Sequence, residues 1–285
     1  MEEQMNFHLT GLDLDSFSHL MGAYKKDGRH FRYCIDGGAG YGLTATEMLS
    51  YINDDGIIFA FEPFTGNHRF FEKITDDRIR LIKKALFNER SVQQLFVRST
   101  VAEESLWGRG KMLTGYSSLG FVDGNPEKRD PEKLYSIECV AADEEISPDT
   151  VIDFVKLDLQ GGELNALRGM KRIIHEPYFL WIEFSDQNEL LEYLYAMGFA
   201  IFETQYLFVG SNPDIVKRDF VFSKTIALST EIPAWLGRRI TPWGKDFHDE
   251  FQVARRQFGL VQTDIVCVQE SRHNEFISAL RHLAI

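Results

Sequence analysis

The chain has 285 residues, of which 44% are hydrophobic and 26% charged, a composition typical of a globular protein rather than a disordered or fibrous one. Its formal net charge of −12 repels phosphate backbones and anionic lipid surfaces, which disfavours nucleic acids and membranes as partners. No apolar run reaches the roughly 20 residues that span a bilayer, and the first residues lack a signal-peptide pattern, so we expect a soluble, cytoplasmic protein.

The first half of the chain alternates between predicted helices and strands. Apolar residues at helical spacing predict an amphipathic helix at 13–27, within an N-terminal segment 1–30. The near-continuous apolar run 57–61 predicts a strand buried on both faces, as in a parallel sheet. The other elements predicted in this half are strands at 31–36, 79–86 and 92–97 and helices at 43–52 and 66–75.

The second half continues the alternation, which predicts an α/β fold with a parallel sheet, right-handed crossovers and helices on both faces. Three cysteines, Cys34, Cys139 and Cys267, each lie in an apolar, strand-like run, which predicts buried free thiols and a reducing compartment. The elements predicted here are strands at 151–157, 179–184, 199–203 and 264–268 and helices at 163–174 and 187–197, the last one ended by Gly198.

Two stretches interrupt the alternation within what we expect to be a single domain, 1–285. Residues 99–134 are rich in glycine, proline and charge, and a loop of this length is typically a functional lid or disordered. Residues 204–262 form an insert whose tryptophans and paired arginines fit either its own small core or an aromatic, cationic cap over the acceptor. Those residues are Trp235, Trp243, Arg238 and Arg239.

A glycine cluster follows the strand 31–36, in the run Asp36-Gly37-Gly38-Ala39-Gly40-Tyr41-Gly42. Glycines allow sharp turns and a close approach of ligand to backbone, and the helix that follows offers free N–H groups. Asp36 ends the strand with an acceptor that suits the ammonium group of S-adenosyl-L-methionine (SAM) and suits a pyrophosphate poorly. We therefore predict a cofactor pocket that includes Asp36, Gly37, Gly38, Gly40 and Tyr41.

Glu62 and Pro63 follow the strand 57–61, where a carboxylate can accept both ribose hydroxyls of an adenosine. The same acid fits a dinucleotide, and Gly40-Tyr41-Gly42-Leu43-Thr44-Ala45 formally matches G-x-G-x-x-A. In a dinucleotide site the first glycine should follow the strand immediately, whereas residues 36–39 intervene here. The register favours SAM, and an NAD(P)-dependent oxidoreductase is the alternative.

A third polar segment ends the buried strand 151–157. Asp158 follows this strand at the edge of the sheet where ligands bind, so we also count it among the predicted cofactor-binding residues, and Gly161 and Gly162 make a turn. Glu163 starts the next helix, where it can stabilise the helix dipole. Carboxylates five residues apart are weak evidence for a divalent cation, and no metal site is predicted.

The sequence resembles the FkbM family of SAM-dependent methyltransferases, over about residues 31–203 and again at 264–268. The resemblance implies a Rossmann-like class I methyltransferase with a mostly parallel seven-stranded sheet. It also implies SAM as cofactor, released as S-adenosyl-L-homocysteine (SAH), and O-methylation of a hydroxyl on a small molecule, sugar or natural-product scaffold. The stretches that carry it are Tyr33 to Gly40, Phe61-Glu62-Pro63, Ile152 to Gly169 and the serine pair in Tyr116-Ser117-Ser118-Leu119.

The resemblance also implies roles for individual residues. Asp36, Gly38 and Gly40 line the methionine side of the cofactor. Glu62 holds the ribose, and Asp158 faces the reactive centre.

A hydroxyl acceptor must lose its proton to a carboxylate or histidine within hydrogen-bond reach. The candidate bases are, in order, Asp158, then Glu183 at the end of the strand 179–184, then His68. Two departures from the family pattern bear on this chemistry: Gln160 replaces the middle acid of D-x-E-G-x-E, and Ser185 stands where a histidine often occurs. These departures keep open a non-catalytic, methyltransferase-like binding protein.

Overall fold

The structure is a computed structural model that describes residues 7–9, 15–96, 134–185, 187–204, 206–210, 218–222, 239–240, 252 and 260–283. The predicted lid-like loop 99–134, apart from Leu134, lies outside these residues, and so does most of the insert 204–262. Ser117, Ser118, Trp235, Trp243 and Arg238 also lie outside them. Within the described ranges, no helix combines the length and apolarity needed to cross a membrane.

Fourteen strands are described, and most lie where apolar runs predict them. They are β1 (Phe7–Leu9), β2 (Phe31–Gly37), β3 (Ile52–Phe61), β4 (Ile79–Ile82), β5 (Ala85–Leu86), β6 (Ser91–Phe96), β7 (Leu134–Val140), β8 (Phe154–Leu157), β9 (Phe179–Phe184), β10 (Phe199–Glu203), β11 (Tyr206–Gly210), β12 (Arg218–Phe222), β13 (Arg239–Ile240) and β14 (Leu260–Gln269). The α-helices are α1 (Asp15–Lys26), α2 (Leu43–Met48), α3 (Thr65–Phe71), α4 (Ala142–Glu145), α5 (Glu163–Arg168), α6 (Asn188–Ala196) and α7 (His273–Leu280).

The central sheet has the strand order β4-β3-β2-β8-β9-β14-β10. Strands β4, β3, β2, β8 and β9 pair in parallel, β14 is antiparallel to β9, and β10 is antiparallel to β14. Six of these seven strands therefore run in one direction, which confirms the predicted mostly parallel seven-stranded sheet. β11, β12 and β1 extend the sheet beyond β14, β13 pairs with β10, and β5, β7 and β6 form a separate three-stranded sheet.

Helices cover both faces of the central sheet, as predicted. One face packs against α1, α2, α3 and α7, with residues such as Cys34 and Phe154 from the strands. The other face packs against α5 and α6, with Ile35 and Val155 from the same two strands. Successive residues of a strand point to opposite faces, so the continuous apolar runs bury side chains on both sides. All three cysteines are buried free thiols, as the apolar runs predict.

Several element boundaries differ from the prediction. β3 begins at Ile52, five residues early, because Phe31 pairs with Ile52 and a register shift accommodates the polar segment 53–56 before Tyr33 pairs with Ile57. The predicted strand 79–86 divides after Ile82: β4 stays in the central sheet and β5 joins the small sheet, and between them Lys84 turns to bind Glu145 on α4.

The predicted helix 163–174 is also shorter in the structure. α5 ends at Arg168, and a short 3-10 helix follows at Ile173–His175. Gly169 lies between them, and a Cβ at this position would stand 2.0 Å from the carbonyl oxygen of Phe87. The backbone therefore passes so close to Phe87 at this position that only glycine fits.

Candidate functional site

The glycine loop after β2 crosses directly over the backbone at the end of β8. Gly38 has φ +74°, and a Cβ there would lie 2.0 Å from the carbonyl oxygen of Asp158, so no other residue fits without moving the backbone. The N–H groups of Gly38 and Ala39 both donate to the Phe61 carbonyl, at 3.1 and 3.0 Å. Gly40 has φ +55° and open space where a Cβ would stand. One side of the loop is therefore packed and the other is free to accept a ligand.

Asp36 lies under this loop and is fully buried, with 0% of its surface exposed. Asp36 Oδ1 lies 3.5 Å from Lys156 Nζ and the Ala45 N–H also interacts with the carboxylate, but neither oxygen makes a hydrogen bond of normal geometry within the described residues. Burial raises the pKa of Asp36, and the Lys156 ammonium opposes this rise. A buried carboxylate that leaves acceptor sites unused is costly, so Asp36 is a candidate for hydrogen bonds from a ligand group.

Glu62 joins the end of β3 to the glycine loop. It is 5% exposed, its Oε2 accepts the Gly40 N–H at 2.8 Å, and its Oε1 accepts the Phe64 N–H at 2.8 Å. Burial raises the pKa of Glu62 to about 7, and the hydrogen bonds from Phe64 and Gly40 oppose the rise. The backbone thus fixes the position of a carboxylate beside the open side of Gly40.

His68, Tyr41 and Pro63 lie around this same corner. His68 is buried on α3, and its Nε2 lies 2.8 Å from the carbonyl oxygen of Glu62. The Tyr41 ring packs edge-on against Phe70, with ring centroids 4.6 Å apart. Pro63 directly follows Glu62 and is half-buried. The structure therefore places His68 at the Glu62 end of the site, and its role as a base stays a prediction.

Asp158 begins the second half of the site. Its N–H donates to the Gly37 carbonyl at 3.0 Å, and its side chain is 37% exposed. Its Oδ2 lies 3.4 Å from Lys156 Nζ, and its Oδ1 accepts a hydrogen bond of 2.8 Å from Gln160 Nε2. Gln160 Nε2 also donates to Glu183 Oε2 at 2.7 Å. One amide group thus holds two predicted base candidates, Asp158 and Glu183, side by side.

Gln160 adopts an unusual backbone conformation to do this. Its φ of 52° is the one positive value among the non-glycine residues that the structure describes. Such a conformation is uncommon for a residue with a side chain, and it is typical of functional loops. The family's acid at this position is replaced by an amide that can donate to its two carboxylate neighbours, which an ionised acid cannot.

Glu163 has a structural role in the same turn. It is fully buried, and its Oε1 accepts the N–H groups of Leu159 and Gly161 at 2.7 and 3.2 Å. Its Oε2 accepts the side-chain amide of Gln187 at 3.1 Å. Burial raises the pKa of Glu163 to about 7 against these hydrogen bonds. Its contacts organise the turn that presents Asp158 and Gln160.

The sequence analysis missed Lys156 and Asp264. Lys156 is 8% exposed in the middle of β8 and faces the carboxylates of Asp36, Asp158, Glu183 and Asp264. A signal for it was present, since a lysine inside the apolar strand Phe154–Leu157 needs charged partners. Asp264 joins the site because β14 pairs it with Glu183, a contact between segments far apart in the chain.

The family model of the FkbM methyltransferase domain matches residues 36–201, which is more than half of the 285 residues. The chain belongs to the FkbM methyltransferase family. The matched region contains the glycine loop, Glu62 and the Asp158 turn, so the FkbM domain includes both halves of the site described above. The topology and the family together make the fold a Rossmann-like methyltransferase fold.

Solved structures similar to this FkbM-family chain include an FkbM methyltransferase from Methylobacillus flagellatus, at 18% identity and a TM-score of 0.37 over 68% of this chain. This chain spans only 43% of that protein's length. A precorrin-6y C5,15-methyltransferase from Geobacter metallireducens is 10% identical, with a TM-score of 0.39 over 92% of this chain and 95% of its own. A SAM-dependent methyltransferase from Aquifex aeolicus is 14% identical, with a TM-score of 0.35 over 74% and 93%. No curated protein shows significant similarity to the sequence.

Proposed function

We propose that this protein is a SAM-dependent O-methyltransferase that acts on a hydroxyl group of a small molecule, sugar or natural-product scaffold and releases SAH. The observation that carries this proposal is the fully buried Asp36, whose carboxylate leaves acceptor sites unused beside the glycine loop. An anionic acceptor at this point suits an ammonium group and repels a pyrophosphate, which favours SAM over a dinucleotide.

The residues around Asp36 fit the rest of the cofactor. Gly40 leaves open space where a side chain would stand, so a ligand can approach the loop backbone closely. Glu62 lies within hydrogen-bond distance of the Gly40 N–H, and its carboxylate can accept further bonds from ribose hydroxyls. We assign Asp36, Gly37, Gly38, Gly40 and Tyr41 to the methionine side of the cofactor site. Glu62 and Pro63 are assigned to its ribose side.

When bound, SAM supplies an electrophilic methyl group attached to a positively charged sulfur. The protein's own task is then to orient an acceptor hydroxyl and to remove its proton. Asp158 suits this task because its carboxylate is partly exposed at the end of β8 and is held by Gln160 and Lys156. The hydroxyl proton goes to the Asp158 carboxylate, and Glu183 and then His68 are the alternative bases.

The charge of the site bears on the acceptor. Asp158, Glu183 and Asp264 act on the ammonium of Lys156, so among the described residues this cluster carries more negative than positive charge when ionised. A neutral or cationic acceptor fits this field better than an anionic one, and nucleic acid is disfavoured. We further propose that the chain forms a single domain, with 99–134 as a lid and 204–262 as a cap over the acceptor.

The experiment that tests the proposal is a screen of hydroxyl-bearing acceptors in which SAH release is measured. We expect turnover with at least one polyhydroxylated small molecule and none in the absence of an acceptor. The opposing outcome is SAH binding with no turnover on any hydroxyl acceptor. That outcome favours the non-catalytic binding protein suggested by Gln160 and Ser185.

A further inference from the structure

Lys156 occupies an unusual position for a lysine. All four residues of β8 are buried, and Lys156 itself is 8% exposed. In the parallel pairing of β2 with β8, Lys156 stands directly opposite Asp36, and residues paired this way point to the same face of the sheet. Lysine is almost never buried unless it is paired, so its environment must supply negative charge.

The partners of Lys156 belong to both halves of the site. Its Nζ lies 3.5 Å from Asp36 Oδ1 on the cofactor side and 3.4 Å from Asp158 Oδ2 on the acceptor side. Carboxylates from four neighbouring strands face Lys156: Asp36 on β2, Asp158 directly after β8, Glu183 on β9 and Asp264 on β14. Two further buried acids interact with this group, Glu62 after β3 with Asp36 and Glu163 at the start of α5 with Asp158.

The ammonium of Lys156 cannot be the general base. Burial alone would lower the pKa of Lys156, but Asp158, Asp36 and Glu183 together raise it above that of a free lysine. Lys156 therefore stays protonated across the working pH range and acts as a fixed positive charge. The Lys156 charge in turn lowers the pKa of its carboxylate neighbour Asp36, against the rise that burial causes.

We infer that Lys156 is a positioning residue whose charge favours the ionised forms of both Asp36 and Asp158 and so links the proposed cofactor side of the site to the proposed acceptor side. This inference rests on the proposed function. An ionised Asp36 is needed to hold the cofactor's ammonium group, and an ionised Asp158 is needed to accept the proton of the hydroxyl. Without Lys156, the two carboxylates would face each other with less compensating charge, and both would protonate at a higher pH.

A purely structural ion pair would behave differently. Replacing a buried ion pair by apolar groups is often neutral for stability, whereas removing one partner leaves the other charge uncompensated. Lys156→Met removes the charge and keeps much of the length of the side chain, and Lys156→Arg keeps the charge. Comparing these two variants therefore separates the charge of Lys156 from its packing.

The first test is the pH dependence of kcat/KM in the wild type, Lys156→Met and Lys156→Arg. An opposite charge within about 4–6 Å shifts a carboxyl pKa by about 1–3 units. We expect the acidic limb of the profile to move to higher pH by that amount in Lys156→Met and to lie at the wild-type pH in Lys156→Arg. In Lys156→Met, kcat should be affected more than the KM of the acceptor. Lys84→Met is the matched control, since Lys84 pairs with Glu145 outside the site and its loss should leave the limb unmoved.

The second test needs no acceptor: carbon-13 NMR of labelled aspartate carboxyl groups during a pH titration, with Asp158 assigned by its absence in Asp158→Asn. We expect the Asp158 signal of Lys156→Met to titrate about 1–3 pH units above that of the wild type. If Lys156→Met does not fold, Lys156→Gln takes its place. The inference is overturned if the Asp158 signal of Lys156→Met titrates at the same pH as in the wild type. It is also overturned if a folded Lys156→Arg titrates at the same raised pH as Lys156→Met.

The two tests also separate this inference from the proposed function. If the wild type neither binds SAH nor turns over, the proposed function fails while the NMR titration still decides whether Lys156 controls Asp158. If the wild type is active and the titration is unshifted, only the role of Lys156 fails.

Discussion

The two halves of the site are built in different ways. On the proposed cofactor side, the contacts are mainly between backbone N–H groups and fixed acceptors, as in the Gly40 to Glu62 bond and the Gly38 to Phe61 bond. On the acceptor side, the contacts join side chains to side chains, from Gln160 to Asp158 and Glu183. Backbone contacts do not depend on the identity of the side chains and impose one geometry on a ligand. Side-chain contacts change in charge and length when a residue is substituted. The difference indicates that mutations on the two sides should affect different measured quantities.

The largest expected effect is on the acceptor side. Asp158→Asn keeps the shape of the side chain and removes its charge, so we expect turnover to fall by about 10²–10⁴-fold, the usual loss for a general base. The affinity for SAH should change little. Single-turnover rates and the Kd of SAH measure the two quantities separately.

A surface variant provides the control for this prediction. Asp76 pairs with Arg78 away from the site, so Asp76→Asn should leave turnover unchanged. A folded Asp158→Asn enzyme with near wild-type turnover would move the base to Glu183 or His68, or leave positioning alone to accelerate the reaction.

The next effect is on the cofactor side and should have the opposite pattern. Glu62→Ala removes charge-assisted hydrogen bonds to the ribose, which are worth about 1.5–3 kcal/mol, so the Kd of SAH should rise by roughly 10- to 150-fold. Glu62 lies at a strand end outside the main core clusters, so the fold should survive. Unchanged SAH affinity in a folded Glu62→Ala protein would remove Glu62 from the cofactor site.

The pH dependence of SAH binding sharpens the same assignment. Burial raises the pKa of Glu62 to about 7 in the protein without ligand, so its ionised fraction increases between about pH 6 and 8. Because the ionised form accepts hydrogen bonds more strongly, SAH affinity should increase over this range. Glu62→Gln, which does not titrate, should have a nearly flat profile when measured by calorimetry. A wild-type profile as flat as that of Glu62→Gln would contradict the role of this titration.

A smaller effect on stability tests the close approach between the two halves. Gly38→Ala and Gly28→Ala both place a side chain at positive φ, which costs about 1–2 kcal/mol at either position. Only Gly38 also meets a backbone oxygen at 2.0 Å, whereas nothing lies within 4 Å at Gly28. We expect Gly38→Ala to lose about 1–3 kcal/mol more in free energy of unfolding, measured by urea denaturation. Equal losses of unfolding free energy in the two variants would show that the glycine loop does not pass as closely over the Asp158 backbone as the structure has it.

The smallest effect is expected at Gln160. Gln160→Glu loses the amide donor and adds a third carboxylate next to Asp158 and Glu183, so turnover should fall but remain measurable. Gln160→Met, which has neither donor nor charge, is the matched control for the repulsion. If turnover is equally low in Gln160→Met and Gln160→Glu, the lost hydrogen bonds explain the effect; if it is lower in Gln160→Met, the added carboxylate assists turnover rather than repelling its neighbours.

The residues that we assign to the cofactor side could be picked out from the sequence because their signals are local. Asp36, Gly38 and Gly40 lie within five residues of one another, and Glu62 directly follows a strand that its apolar run predicts. The central sheet was predictable from the alternation of helices and strands along the chain. Boundaries such as the start of β3 were not, because they depend on pairing with another strand.

The acceptor side was predictable only in part. Asp158 could be found at the end of an apolar strand, but its partner Glu183 comes from a different strand, and the bridging amide of Gln160 depends on a backbone conformation that few residues adopt. Lys156 is flanked by apolar residues on both sides, so the face of the sheet to which it points was known only once β2 and β8 were paired. Contacts of this kind depend on tertiary structure, which spacing along the sequence does not contain.

Calorimetric titration of the wild-type protein with SAH and, separately, with NAD tests the central claim most directly. The site around Asp36 and Glu62 predicts that SAH binds at one site per chain and that NAD gives no comparable heat. It also predicts thermal stabilisation by SAH, of about 2.7 kcal/mol at a ligand concentration a hundredfold above Kd. Binding of NAD without binding of SAH, or no shift in Tm at millimolar SAH, would contradict the account.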